Sequence, residues 1–285
     1  MIPVLEVTAQ GFVRKMRGET QAHLLSADDG CCYVAKFSNN PQGHRILVNE
    51  LIGSLLLTAL GLPTPEIVLI HVDGKLLQDN PEIYFKVAQN GKALVAPGIH
   101  LGSRYPCATG TSPIYDFLPD SMLPRVKNRD HFFGALVFDK WTSNAGRRQT
   151  IFFRRKVVHE DGRPPANQWI TQMIDHGQIF QGQEWAFHDS PMQGLYERTI
   201  AYGKNLSLEA CEPWLSALRR MGTDVFEELL SLVPPAWIAG DEQDLRHLLV
   251  RLARRRDLVP QLVAESIVLL QNRARLSGID PVADP

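Results

Sequence analysis

Apolar-rich runs separated by glycine-bearing turns fill the first forty residues. Val4–Thr8, Phe12–Met16, Ala22–Leu25 and Tyr33–Phe37 are parted by Gly11, Gly18 and Asp28-Asp29-Gly30, the pattern of an antiparallel meander. The turn cluster Asn39-Asn40-Pro41-Gln42-Gly43 leads into a predicted helix from Arg45 to Leu60, stopped by Gly61 and Pro63. Another strand, Ile67–Val72, is predicted to close on a turn at Asp73-Gly74.

From about Asn90 to Arg125 the chain is rich in Gly, Pro and Ser, with Tyr115-Asp116-Phe117-Leu118-Pro119 as an ordered island. This composition predicts a β-rich first lobe over residues 1–90, a hinge and connecting segment over 91–128 and a second lobe over 129–278. In the second lobe, Asp130–Trp141 reads as a helix with Phe132, Phe133, Leu136 and Val137 on one side. A polar loop, Thr142–Arg148, follows. Then come strands at Thr150–Arg154 and Trp169–Ile174, joined through Asp161-Gly162-Arg163-Pro164-Pro165. The last third is helical: Ser207 and Thr223 are expected caps, further helices follow Asp241 and Pro260, and the tail from Asp280 is expected to fray. The fold class is therefore α+β, with a small β-rich lobe carrying one helix and a larger, mainly helical lobe.

Composition removes several alternatives. With 285 residues, 44% hydrophobic and 21% charged, the chain is an ordinary globular sequence. A formal charge of -1 supplies no overall field for nucleic acid, and none is expected as a partner. The longest apolar run, Leu51–Leu62, is interrupted by Gly53, Ser54, Thr58 and Gly61. It is shorter than the roughly 20 residues of a membrane helix and reads as a core helix. Met1-Ile2-Pro3-Val4-Leu5-Glu6 lacks a basic flank before an apolar core, so no signal peptide is read and a cytoplasmic location is expected. Cys31, Cys32, Cys107 and Cys211 form no CxxC pair and have no His at metal-ligand spacing, which favours structural thiols.

Four places carry candidate chemistry. In a strand, Lys36 shares a face with Val34, while Tyr33, Ala35 and Phe37 share the other, so an ammonium projects from an apolar strand and wants an anion. Glu50 lies on the border of the following helix's apolar stripe; a buried ammonium and a buried carboxylate tolerate burial mainly as a pair. Arg17-Gly18-Glu19-Thr20-Gln21-Ala22 is a turn between early strands, and with one glycine it reads alone as a hairpin turn. Ile174-Asp175-His176-Gly177 ends a strand in an acid and a glycine, which suits a metal-binding carboxylate as well as a plain turn. Asp139 and Asn144 are spaced as Asp-x-x-x-x-Asn, but Asp139 falls within the predicted helix and is favoured as a loop-anchoring carboxylate. Arg251, Arg254, Arg255 and Arg256 read as a solvated helix face, and Trp169, Trp185 and Trp214 as core.

Taken together, Arg17-Gly18, Gln21-Ala22-His23-Leu24, Asp28-Asp29-Gly30, Tyr33-Val34-Ala35-Lys36-Phe37, Asn39-Asn40-Pro41-Gln42, Asn49-Glu50, Phe138-Asp139-Lys140-Trp141, Asn144-Ala145, Arg148-Gln149 and Ile174-Asp175-His176-Gly177 resemble the bacterial HipA-like kinase domain family, from about Val13 to Arg256. The resemblance implies a two-lobed protein-kinase-like fold, more distantly similar to phosphatidylinositol kinases, with nucleotide between the lobes. It implies ATP and Mg as cofactors, with Gly18 and Gln21 in the turn over the phosphates, Lys36 on the phosphates, Glu50 as its partner and Asp175 on the metal. The implied phosphate acceptor is a protein or small-molecule hydroxyl.

The family pattern Asn-Ala-Asp-x-Arg-Gln further implies a catalytic Asp two positions after Asn144, where this chain has Gly146. Glycine can neither accept a hydroxyl proton nor orient one. Members also carry a second glycine and a serine where Glu19 and Thr20 stand. Two expectations follow. In one, the protein keeps nucleotide binding without efficient transfer, as a pseudokinase or interaction module. In the other, Asp139 or a water held by Asn144 substitutes, and slow transfer survives because positioning and electrostatics dominate kinase catalysis.

Overall fold

A computed structural model describes residues 4–88, 91–106, 113–157 and 166–276. Cys107, the excursion at 161–165 and the tail from 280 lie outside the described residues.

Strand β1 (Leu5–Lys15) runs through Gly11, so the two strands expected there are one. Register shifts against β2 (His23–Ala27) at Ala9/Gly11 and Phe12/Arg14 absorb the irregularity as bulges. A Cβ on Gly11 would meet Ser26 Oγ at 2.9 Å, which explains the glycine. With β3 (Cys32–Lys36), β4 (Ile67–Val72) and β7 (Gly98–Arg104) these strands close into a barrel ordered β1-β2-β3-β7-β4, in which only β1 and β4 pair in parallel. Strand β7 lies in the stretch expected to connect the lobes. Its Gly98 and Gly102 weaken the strand signal, yet a side chain at 102 would strike Val68 Cγ2 at 2.8 Å. A helix, α2 (Gly74–Asp79), replaces the turn expected at 73–74, because Asp73 Oδ1 accepts from the Leu76 amide at 2.6 Å and caps it. Strands β5 (Tyr84–Val87) and β6 (Gly91–Leu94) form a separate hairpin.

Strand alternation sorts the barrel into two faces. Tyr33, Ala35 and Phe37 join Leu25, Ile70 and Phe85 in one buried cluster. On the opposite face, Leu101, the register partner of Lys36, joins the larger core around helix α1 (His44–Ala59). That helix is buried without a break from Ile46 to Leu57 and links the barrel to the second part.

There, α3 (His131–Trp141) buries Phe132 and Leu136 to Phe138 in that same core. The hairpin β8 (Gln149–Val157) and β9 (Ala166–Ile174) pairs Gln149 with Ile174. The remainder is α4 (Leu208–Arg220), α5 (Asp224–Leu232), α6 (Pro235–Ile238), α7 (Glu242–Arg254) and α8 (Val259–Leu276). Ser207 caps α4 through the Ala210 amide at 3.1 Å, whereas the Thr223 side chain makes no capping bond to α5. Arg255 is not a solvated cation: it donates to the carbonyls of Lys140 and Trp141, each at 3.1 Å, at the end of α3. Trp185 is core; Trp169 and Trp214 are only half-buried. Among the described residues no helix is long and apolar enough to cross a membrane.

Candidate functional site

Strand alternation points Lys36 out of the barrel, and α1 carries Glu50 past it. Lys36 Nζ donates to Glu50 Oε1 and, at 3.0 Å, to Asp175 Oδ1. Sequence reasoning named all three residues; it did not foresee that one ammonium would join both carboxylates. Burial works against the Lys36 cation, but the Glu50 and Asp175 charges outweigh it and hold its pKa above the ordinary lysine value. The Lys36 ammonium in turn holds Asp175 well below the usual carboxylate range. Burial pushes Glu50 the other way. Glu50 nevertheless accepts from Lys36, from the His176 amide (3.0 Å) and from the Gly177 amide (2.8 Å), three donors, one of them a cation, that favour its ionised form.

These amides fix the loop after β9. Asp175, Phe180, Gln181 and Trp185 all hold positive φ, between 48° and 58°, which L residues rarely adopt. Asn49 stabilises that path by donating to the carbonyls of Gly177, Ile179 and Gly182 at 2.8 to 3.0 Å, while its Oδ1 accepts from Trp185 Nε1 at 2.9 Å. The outcome is that Asp175 presents Oδ2 outward, held by Gln149 Nε2 at 2.6 Å. Half-exposed Asp175 beside an exposed amide suits Mg, which takes one or two carboxylates and completes its shell with phosphates and water. Among the described residues no cluster of three or more His, Cys, Asp or Glu could hold a metal unaided.

The neighbouring loop is built in the opposite manner. Asp139 is buried and accepts from Arg148 through both oxygens, with Nε at 2.9 Å, and from Asn144 Nδ2 at 2.8 Å. Asn144 Oδ1 accepts from the Gly146 amide at 3.0 Å, so both ends of Asn144 are engaged within the loop. Arg148 Nη1 also donates to the Ile174 carbonyl (3.1 Å) and to His176 Nδ1 (2.9 Å). Because arginine only donates, His176 Nδ1 is the acceptor of a neutral ring whose Nε2–H faces Thr64 Oγ1 at 3.2 Å. Burial first, then the Arg148 cation, holds His176 well below the usual imidazole range. Arg148 and His176 are thus site residues that sequence reasoning left without a role, because their partners are far apart along the chain.

Gly18 adopts φ 121° at an exposed turn, a conformation that requires glycine, and Glu19 is exposed as well. Gln21 spends its amide on β5, donating to the Lys86 carbonyl at 2.9 Å and accepting from the Lys86 amide at 2.6 Å. It braces the turn. Between that turn and the start of α1 lies a small open cleft whose lining includes Thr20, Lys36, Gly43 and Glu50.

The family model described as HipA-like kinase matches residues 10–261. No curated protein matches the chain. Among solved structures it is similar to the Helicobacter pylori proinflammatory kinase CtkA, at 13% identity and a TM-score of 0.55, covering 94% of this chain and 99% of that one. It is also similar to a Golgi casein kinase with Mn and ADP bound, at 11% identity and a TM-score of 0.49, covering 95% of this chain and 74% of that one. The architecture is the two-lobed kinase fold, with a small strand-rich N-terminal part and a helical C-terminal part.

Proposed function

The chain belongs to the HipA-like kinase family, and we propose that it binds ATP with Mg between its two parts while phosphate transfer is weakened at Gly146. Family membership supports kinase-type phosphotransfer as the general activity. The observation that carries the finer reading is the unequal state of the two halves of the site. Lys36 is braced by Glu50 and Asp175 beside an open cleft, whereas Asp139 and Asn144 are engaged by one another and by Arg148.

In this reading Lys36 binds the phosphates, Asp175 and Gln149 face the metal, and Gly18 gives the covering turn its backbone conformation. Bound Mg would neutralise phosphate charge. Asp139 is a positioning residue, since taking a substrate proton would require giving up its buried guanidinium partner. The acceptor of any transfer is a hydroxyl of a protein or small molecule. Calorimetric titration with ATP tests the reading: binding is expected to require Mg and to vanish in Lys36→Ala. A wild-type chain that binds no nucleotide overturns it.

A further inference from the structure

Helix α1 begins with charges of the wrong sign. His44 and Arg45 stand in its first turn with no acidic residue, although a helix N-terminus favours anions. Gly43, at φ 94°, provides no side-chain cap. Arg45 is only 20% exposed, and its guanidinium forms a fork on Asp241, with Nε to Oδ2 and Nη2 to Oδ1 both at 2.7 Å. Nη2 also donates to Asp244 Oδ2 at 2.8 Å and Nη1 to the Gln183 carbonyl at 3.3 Å. His44 Nε2 lies 2.7 Å from Asp241 Oδ2. Asp241 and Asp244 sit at the N-terminus of α7, where acids are favourable. Placement of Arg45 therefore disfavours its own helix, and the contact across to α7 offsets that cost.

The same guanidinium stacks over Trp185, 4.3 Å from the ring centre. Trp185 donates to Asn49, and Asn49 holds the Gly177, Ile179 and Gly182 carbonyls of the strained loop. One side chain thus touches α1, α7 and the end of the loop that begins at Asp175. We propose that Arg45 is a positioning residue for the phosphate and metal site, tying the helix of Glu50 and the loop of Asp175 to α7 in one fixed arrangement. This rests on the nucleotide reading for what the loop holds. Elsewhere in kinases the glutamate-bearing helix is a moving part; here Arg45 ties it to Asp241 and Asp244 of α7.

Arg45→Ala, Arg45→Lys and Asp241→Asn in the full chain test the clamp, first by hydrogen exchange of the nucleotide-free protein. The amides of His176 and Gly177, which donate to Glu50, are expected to exchange about tenfold faster in Arg45→Ala and in Asp241→Asn, while barrel amides such as Ile70 keep their rates. Arg45→Lys, with a point charge in place of a fork, recovers part of the protection. Affinity for ATP with Mg is expected to fall about tenfold in Arg45→Ala. Unchanged exchange at His176 and Gly177 overturns the proposal, as does a uniform rise across the whole chain, which reports lost stability and not lost positioning. A wild-type chain without nucleotide binding would remove the proposed function, and the exchange comparison would still decide the clamp.

Discussion

Two acidic centres lie side by side in this molecule and are built by opposite rules. Around Lys36, two carboxylates share one ammonium, and Asp175 keeps an oxygen turned outward next to the exposed Gln149. Around Asp139, every polar atom is matched inside the protein by Arg148 and Asn144, and position 146 contributes no side chain. The first centre has one carboxylate more than its single ammonium, and in the proposed reading that residual negative charge is what a phosphate-bound metal would meet. The second is a finished structural joint. Kinase ancestry alone does not distinguish them; the allocation of hydrogen bonds does.

The largest expected effect comes from restoring the missing group. A Cβ at Gly146 would lie 3.0 Å from Gln178 Cβ, 3.2 Å from its Cγ and 3.4 Å from Asn144 Oδ1. Gln178 Cβ is set by its backbone, whose carbonyl accepts from the Ala145 amide at 2.9 Å, so Gly146→Asp requires the two loops to part by a few tenths of an ångström, while Gly146 has no positive φ to add strain. General-base participation contributes on the order of 10²–10⁴-fold. Hydrolysis of labelled ATP and self-phosphorylation, which need no known acceptor, are expected to rise by that order in Gly146→Asp. Equal rates in both proteins would mean that position 146 is not where the base is missing.

Breaking the joint comes next. Arg148→Ala leaves Asp139 buried without a counter-charge, a loss of about 3–5 kcal/mol, read as a lower denaturation midpoint in urea. Lys36→Ala is expected to cost the fold less, because Glu50 keeps the His176 and Gly177 amides and Asp175 is 30% exposed. What Lys36→Ala removes is ligand stabilisation, about 2.7 kcal/mol at a hundred times Kd, read as loss of the ATP-and-Mg shift in Tm. If Lys36→Ala destabilised the free protein more than Arg148→Ala, the division into a binding centre and a structural joint would be reversed.

The Lys36–Glu50 pair was legible in the sequence, because strand alternation around Lys36 and the position of Glu50 on its helix are local signals. The fold class was legible for the same reason. What local pattern could not reveal was how distant groups divide their hydrogen bonds. Gln21 reads as a phosphate-turn residue, yet both ends of its amide are taken by Lys86 in a hairpin that shows no strong strand signal. Strand β7 was hidden by Gly102, whose lack of a side chain is required by its neighbours in the sheet. Arg45 looks like an ordinary polar residue at a helix start until α7 arrives beside it.

The smallest expected effect tests whether the two centres are separable at all, since His176 belongs to both. Its backbone amide donates to Glu50 and its ring accepts from Arg148. Protonating the ring would set a cation against that guanidinium, and the folded ring stays neutral well below the ordinary range. In the unfolded chain the same histidine takes up a proton near pH ~6.5. Below that value the unfolded state binds one more proton than the folded state, so stability falls as pH falls, by about 1.4 kcal/mol per pH unit. His23 and His100, each pushed down to about 4 by burial, add slopes of the same sign until that pH is reached. Unfolding free energy measured against pH between about 6 and about 5 is therefore expected to lose one proton's worth of slope in His176→Gln, with the His23 and His100 contributions intact. An unchanged slope would mean that His176 is protonated in the folded chain, with its ring no longer accepting from Arg148. The tie between the binding centre and the joint would then be the Glu50 amide contacts alone.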